Sequence, residues 1–157
     1  MNLSATSACI AQLCLLSVLG CSSNEGLVCA TYACNNRGVL SGTVELSTAK
    51  VVDVRFCEDF DCRDGLIDLE SLDNDRACAT WQYNLQACFF PSAGSGTYAV
   101  EAVWGHDELL PEGSHTLKLI VTDHTTGAEL VSEARAIEYE VTRKDACHLC
   151  FAAQAEL

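Results

Sequence analysis

The chain has 157 residues, 49% of them hydrophobic, with 22 Asp+Glu against 9 Lys+Arg and a formal charge of -13. Its length fits one domain, and its apolar content excludes a disordered chain. The acidity excludes a nucleic-acid partner, because a polyanion is repelled along the whole surface; eleven cysteines separate the chain from cytosolic enzymes and place it near disulfide scaffolds.

The first predicted element is an address. Residues 1–20 carry no charged side chain, and all Asp, Glu, Lys and Arg residues follow Gly20. Ala8 to Leu19 is an apolar run that falls short of the roughly 20 residues a membrane-spanning helix needs. It matches the apolar segment of a secretory signal. The run closes on Val18-Leu19-Gly20-Cys21. That ending resembles the lipobox of bacterial lipoproteins. The resemblance implies a diacylglycerol thioether on Cys21, cleavage after Gly20, and a further acyl chain on the new amino terminus. A plain signal peptide followed by a free Cys21, or a buried N-terminal strand, is the alternative reading.

Residues 21–28 then form the lipidated cysteine and a polar tether, Ser22-Ser23-Asn24-Glu25-Gly26 leading on. About seven flexible residues reach only ~15 Å, which keeps the domain near its bilayer. Ser22, directly after Cys21, resembles the lipoproteins sent on to the outer membrane. A domain this acidic gains no attraction from anionic lipid, so the acyl chains must supply the hold.

Residues 29–157 read as one all-β domain. Leu40, Val44 and Leu46 alternate with Ser41, Thr43 and Glu45; Val52, Val54 and Phe56 alternate with Asp53 and Arg55. Ala79, Trp81, Tyr83, Leu85, Ala87 and Phe89 share one parity, and Tyr98, Val100, Ala102 and Trp104 share another. Leu117, Leu119 and Val121 follow, then Ile137, Tyr139 and Val141, then Leu149, Phe151, Ala153, Ala155 and Leu157. Side chains two apart line one face of a strand, so these are half-buried antiparallel strands. Turn residues separate them at Asn35-Asn-Arg-Gly38, Ser92 to Gly96, Pro111-Glu-Gly113 and Thr125-Thr-Gly127. Seven or eight short strands at this spacing predict an antiparallel β-sandwich. Gly113 to Asp123 with the following Thr-Gly127 is similar to the late strands of immunoglobulin-like or fibronectin-like modules. Glu129 to Ile137 also fits a helical face through Leu130, Ala134 and Ile137, with strand the preferred reading.

Cysteine parity supports the address. Cys9 and Cys14 leave with the signal and Cys21 takes lipid. Cys29, Cys34, Cys57, Cys62, Cys78, Cys88, Cys147 and Cys150 remain, an even set suited to an oxidising compartment. Cys57 and Cys62 flank Glu58-Asp-Phe-Asp61, which reads as a hairpin turn. Cys78 and Cys88 lie on one face of a long alternating segment. A straight strand of ten residues spans ~33 Å, so either the segment folds back or each sulfur pairs elsewhere. Four local disulfides are the preferred pattern.

The remaining residues offer few candidates for sharper chemistry. Cys147-His-Leu-Cys150 has the spacing of a thioredoxin-type pair, but only seven residues follow it, which is no room for the helix that would activate a thiol. Zinc at Cys147, His148 and Cys150, completed by Cys29 and Cys34, lacks the spacing of a finger. Asp59, Asp61 and Asp64, with Asp68 and Glu70 beyond, form a weak calcium candidate with Gly65 one place late; Asp73-Asn-Asp75 is another. Trp81, Trp104, Tyr83, Tyr98 and Tyr139 are expected in the core and not as a sugar-binding platform. His106, His115, His124 and His148 are expected at the surface without partners. No nucleophile elbow, zinc-protease helix or phosphate loop occurs. The expected protein is thus a non-catalytic, lipid-anchored binding or structural module of the bacterial envelope, its protein or glycan partner unnamed. The alternative is a small envelope enzyme or a calcium- or zinc-dependent adhesion domain.

Overall fold

The computed structural model describes residues 36–46, 49–73, 75–82, 84–92, 94–106, 113–144 and 149–157, with only the backbone of Arg143, Lys144 and Leu149. The expected signal, Cys21, the tether, Cys29, Cys34, Tyr83, Cys147 and His148 lie outside them. Among the described residues the chain forms β1 (Asn36–Glu45), β2 (Val51–Glu58), β3 (Asp61–Asp68), β4 (Ala77–Gln82), β5 (Leu85–Pro91), β6 (Thr97–His106), β7 (Ser114–Asp123), β8 (Glu129–Glu138), β9 (Glu140–Lys144) and β10 (Leu149–Glu156). No helix appears among them. One sheet has the order β4-β5-β6-β1-β10-β9 and the other β3-β2-β7-β8. Pairings are antiparallel except β1 with β10, which run parallel. The architecture is the expected β-sandwich.

The inward parities are those of the alternating sequence. Leu40 and Val44 of β1, Val52, Val54 and Phe56 of β2, Val100, Ala102 and Trp104 of β6, and Leu117, Leu119 and Val121 of β7 meet between the sheets. The Phe56 and Trp104 rings stand edge to face, 5.6 Å between centroids. Each such side chain stabilises the fold by roughly 1.5–3 kcal/mol through burial. Tyr98, Trp81 and Tyr139 are half-buried against this core. Trp104 lies in the core, as expected, whereas Trp81, Tyr98 and Tyr139 sit partly exposed at its margin.

Among the described residues ten strands stand where seven or eight were expected, and two divisions account for much of the difference. The chain reverses between Gln82 and Leu85: Ala77 faces Phe89, Cys78 faces Cys88 and Ala79 faces Ala87. The inward residues Ala77, Ala79, Leu85, Ala87 and Phe89 all keep odd parity across the turn, so alternation alone does not reveal it. Likewise Ile137-to-Val141 divides at Tyr139, where the chain leaves one sheet for the other. Glu129–Glu138 is a strand, as preferred over helix. At the sheet corner Gly65 lets β3 approach β4: a Cβ there would lie 2.8 Å from the Ala79 Cβ and 3.1 Å from the Trp81 ring. Trp81 Nε1 donates to the Asp64 carbonyl at 2.7 Å and closes the same corner.

The β7–β8 turn is held by one side chain. Asp123 accepts from the backbone N–H groups of Thr125 and Thr126 at 2.8 and 2.9 Å. The Thr126 N–H foremost, then Thr125, hold its carboxyl below the usual carboxylate range. Gly127 takes the left-handed φ of 72° that completes the turn.

Candidate functional site

The β2–β3 hairpin carries the densest arrangement of polar groups. Cys57 and Cys62 face each other in register and are joined by a disulfide. Two residues connect the strands beyond the Glu58–Asp61 pair. Asp59 sits at φ 52°, a left-handed position that Asp tolerates better than most residues. Its backbone is tied to the neighbouring strand, with Asp59 N–H donating to the Thr116 carbonyl at 2.8 Å. Its carboxylate accepts from Thr116 N–H at 2.8 Å and pairs with His115 Nδ1 at 2.9 Å.

Directly beneath the turn lies a buried carboxylate. Glu58 is 7% exposed. Tyr139 donates its hydroxyl to Glu58 Oε1 at 2.5 Å, and His106 Nε2 lies 2.8 Å from Oε2. His115 Nδ1 is 3.7 Å from Oε1, an electrostatic neighbour beyond hydrogen-bond range. The Tyr139 ring stands edge-on to both imidazoles, 5.6 Å from His106 and 5.3 Å from His115 between centroids. Burial pushes the Tyr139 hydroxyl well above the ordinary tyrosine range, and the bond to Glu58 adds to it. Gly38 leaves the room this requires, since a Cβ at that position would come within 2.7 Å of the Tyr139 oxygen.

Four segments therefore converge at one end of the sandwich. Glu58 ends β2, His106 ends β6, His115 opens β7, and Tyr139 joins β8 to β9. β1 starts at the same end, where Asn36 faces His106. The Asn36 side chain, 7% exposed, accepts from Phe151 N–H at 2.9 Å and ties β1 to β10. A buried carboxyl group is tolerated only when its oxygens are met, and here Tyr139 and His106 meet them. The cluster acts chemically as a clamp that sets the hairpin against the body of the fold.

This corrects the reading of the histidines as unpartnered surface residues. His115 is 8% exposed and His106 half-buried, both in the Glu58 cluster. Among the described histidines His124 stays exposed, paired with Asp53 at 2.9 Å. The partners lie too far apart in sequence to be read from spacing: 81 residues separate Tyr139 from Glu58, and 56 separate His115 from Asp59.

The carboxylates of the calcium candidate face three different ways. Asp59 turns to β7, Asp61 pairs with Arg63, and Asp64 pairs with Arg55 at 2.6 Å. The Arg55 guanidinium holds the Asp64 carboxyl below its usual range. Among the described residues no group of three His, Cys, Asp or Glu side chains is placed to hold a metal ion. The second disulfide joins Cys78 to Cys88 across β4 and β5, which settles the choice between folding back and distant pairing. Cys150 is also disulfide-bonded. Two of the expected local pairs are thus present, and all five described cysteines are oxidised. Comparison of the chain with protein-family models, with curated proteins and with solved structures finds no match.

Proposed function

We propose that the chain is an exported bacterial lipoprotein, anchored through Cys21 to the outer membrane, whose β-sandwich is a non-catalytic binding or structural module of the envelope. The observation that carries this reading is the use of sulfur. Eight cysteines follow Cys21, and each of the five described is in a disulfide. Persistent disulfides belong to compartments outside the cytosol, and only with Cys21 set aside for another bond is the count after Gly20 even. The lipobox-like Val18-Leu19-Gly20-Cys21 provides that other bond. β1 begins 15 residues after Cys21, and 15 residues of chain span at most about 50 Å. The sandwich then works close to the bilayer. The module is assigned to binding because its buried polar cluster is satisfied internally, with each oxygen of Glu58 already met.

Detergent phase partitioning of the full-length wild type beside Cys21→Ser tests this. Wild type is expected in the detergent phase, since several acyl chains bind far more firmly than one. Cys21→Ser is expected in the aqueous phase, equally well folded by circular dichroism. Equal distribution of both forms into water contradicts the proposal.

A further inference from the structure

Phe60 has no role in the fold. It stands at the tip of the β2–β3 hairpin, 102% exposed. The other exposed large apolar residues among those described, Leu66, Leu72 and Val141, keep much more of their surface covered, at 56%, 43% and 52% exposure. Tight turns favour Gly, Asn, Asp and Ser, each for its backbone or hydrogen-bonding behaviour. A phenylalanine offers none of these, and turn chemistry does not call for it. Single exposed apolar side chains are ordinary on protein surfaces. The support beneath this one is not. The Cys57–Cys62 disulfide closes the hairpin base. Asp59 is fixed by its backbone and carboxylate to Thr116 and by its carboxylate to His115. Glu58 is locked beneath by Tyr139 and His106. A turn held in advance presents its tip residue with little further loss of backbone freedom on binding, which helps a small contact become tight.

We infer that Phe60 is the anchor of a protein-docking tip, received by an apolar pocket with Lys or Arg at its rim on a partner protein. This shares with the proposed function the reading of the chain as a binding module, and it is independent of lipid at Cys21. Charge identifies the partner. Phe60 lies between Asp59 and Asp61, whose side chains are 41% and 59% exposed even though His115 and Arg63 pair with them, on a chain of charge -13. A bilayer is the competing occupant, because the tip lies at the end of the sandwich where β1 begins. Entering a headgroup layer would carry two carboxylates to a surface of negative potential. A basic rim around an apolar pocket matches both parts of the tip. Buried aromatic anchors with charged rims are the usual source of binding energy at protein interfaces.

The test uses the full-length chain carrying Phe60→p-benzoylphenylalanine, irradiated with detergent-solubilised envelope of its own cells and repeated with Cys21→Ser in addition. Phe60→Ser is the comparison, and its melting temperature should match wild type within about 1 °C because the side chain buries nothing. The expected result is one adduct, present with and without Cys21→Ser. Excess unlabelled wild type reduces it roughly tenfold, while the same excess of Phe60→Ser leaves it intact. Asp61→Lys, or about 0.5 M salt, lowers its yield several-fold. Four results overturn the inference: no adduct, competition by Phe60→Ser equal to wild type, an adduct only at twice the chain mass, or Phe60-dependent sedimentation with phosphatidylcholine vesicles. Loss of detergent partitioning with the adduct retained refutes the anchor and leaves the docking tip standing.

Discussion

Glu58→Ala is expected to lower the unfolding free energy by about 2–4 kcal/mol. The substitution takes the acceptor from the Tyr139 hydroxyl and the carboxylate from His106 Nε2, leaving these half-buried groups only each other, 3.2 Å apart. Glu58→Gln keeps an acceptor for Tyr139 and should cost only about 1 kcal/mol. Urea unfolding at neutral pH measures both, and a loss below about 0.5 kcal/mol for Glu58→Ala would reduce the cluster to a surface ion pair. The same cluster governs alkaline behaviour. The folded state raises the Tyr139 pKa above its unfolded value, by burial first and by Glu58 second. The stability it contributes is therefore complete below the unfolded value of about 10 and is lost as pH climbs beyond it. Tyr139→Phe should be less stable than wild type at neutral pH, with the gap narrowing above about pH 10. A gap unchanged at high pH would mean that the hydroxyl is hydrated.

Removing both hairpin disulfides should bring the domain close to unfolding. The Cys57–Cys62 and Cys78–Cys88 bonds close loops of sequence separation 5 and 10, worth about 2 and about 3 kcal/mol in the chain-entropy account. They lie in different sheets, and effects of separate sites add. The expected combined loss of about 5 kcal/mol equals the whole stability of a marginal domain. Cys57→Ala with Cys62→Ala, Cys78→Ala with Cys88→Ala, and all four together should form an additive series in denaturant midpoint. A combined loss under about 1 kcal/mol would show that the core alone sustains the sandwich.

The fold was legible where one local signal had one cause. Val52, Val54 and Phe56 must face one side of β2, and they do. The Cys57–Cys62 hairpin was legible because sulfurs flanking a short acidic turn have one easy geometry. Two breaks were concealed by parity: the reversal between Gln82 and Leu85 keeps odd residues inward on both sides, and Tyr139 continues the alternation of Ile137 while the chain changes sheets. The parallel pairing of β1 with β10 brings Arg37 beside Ala152, a contact no local pattern records. The candidate site was the least legible part. Glu58, His106, His115 and Tyr139 are isolated residues in sequence, and only packing of the two sheets brings them to one end. Gly38, expected in a turn with Asn35, Asn36 and Arg37, instead lies inside β1, and a glycine within a strand marks close approach of another group. That group is the Tyr139 hydroxyl.

Sulfur committed to permanent bonds, one to lipid and the rest to each other, underlies the whole functional reading. Intact mass of the unreduced protein, purified from its own cells and treated with a thiol-alkylating reagent, tests both commitments together. The predicted species begins at Cys21, carries acyl additions, takes up no alkylating reagent, and lacks one hydrogen for each of the eight later cysteines. A chain that still begins at Met1, bears no lipid and is alkylated at its cysteines would contradict it.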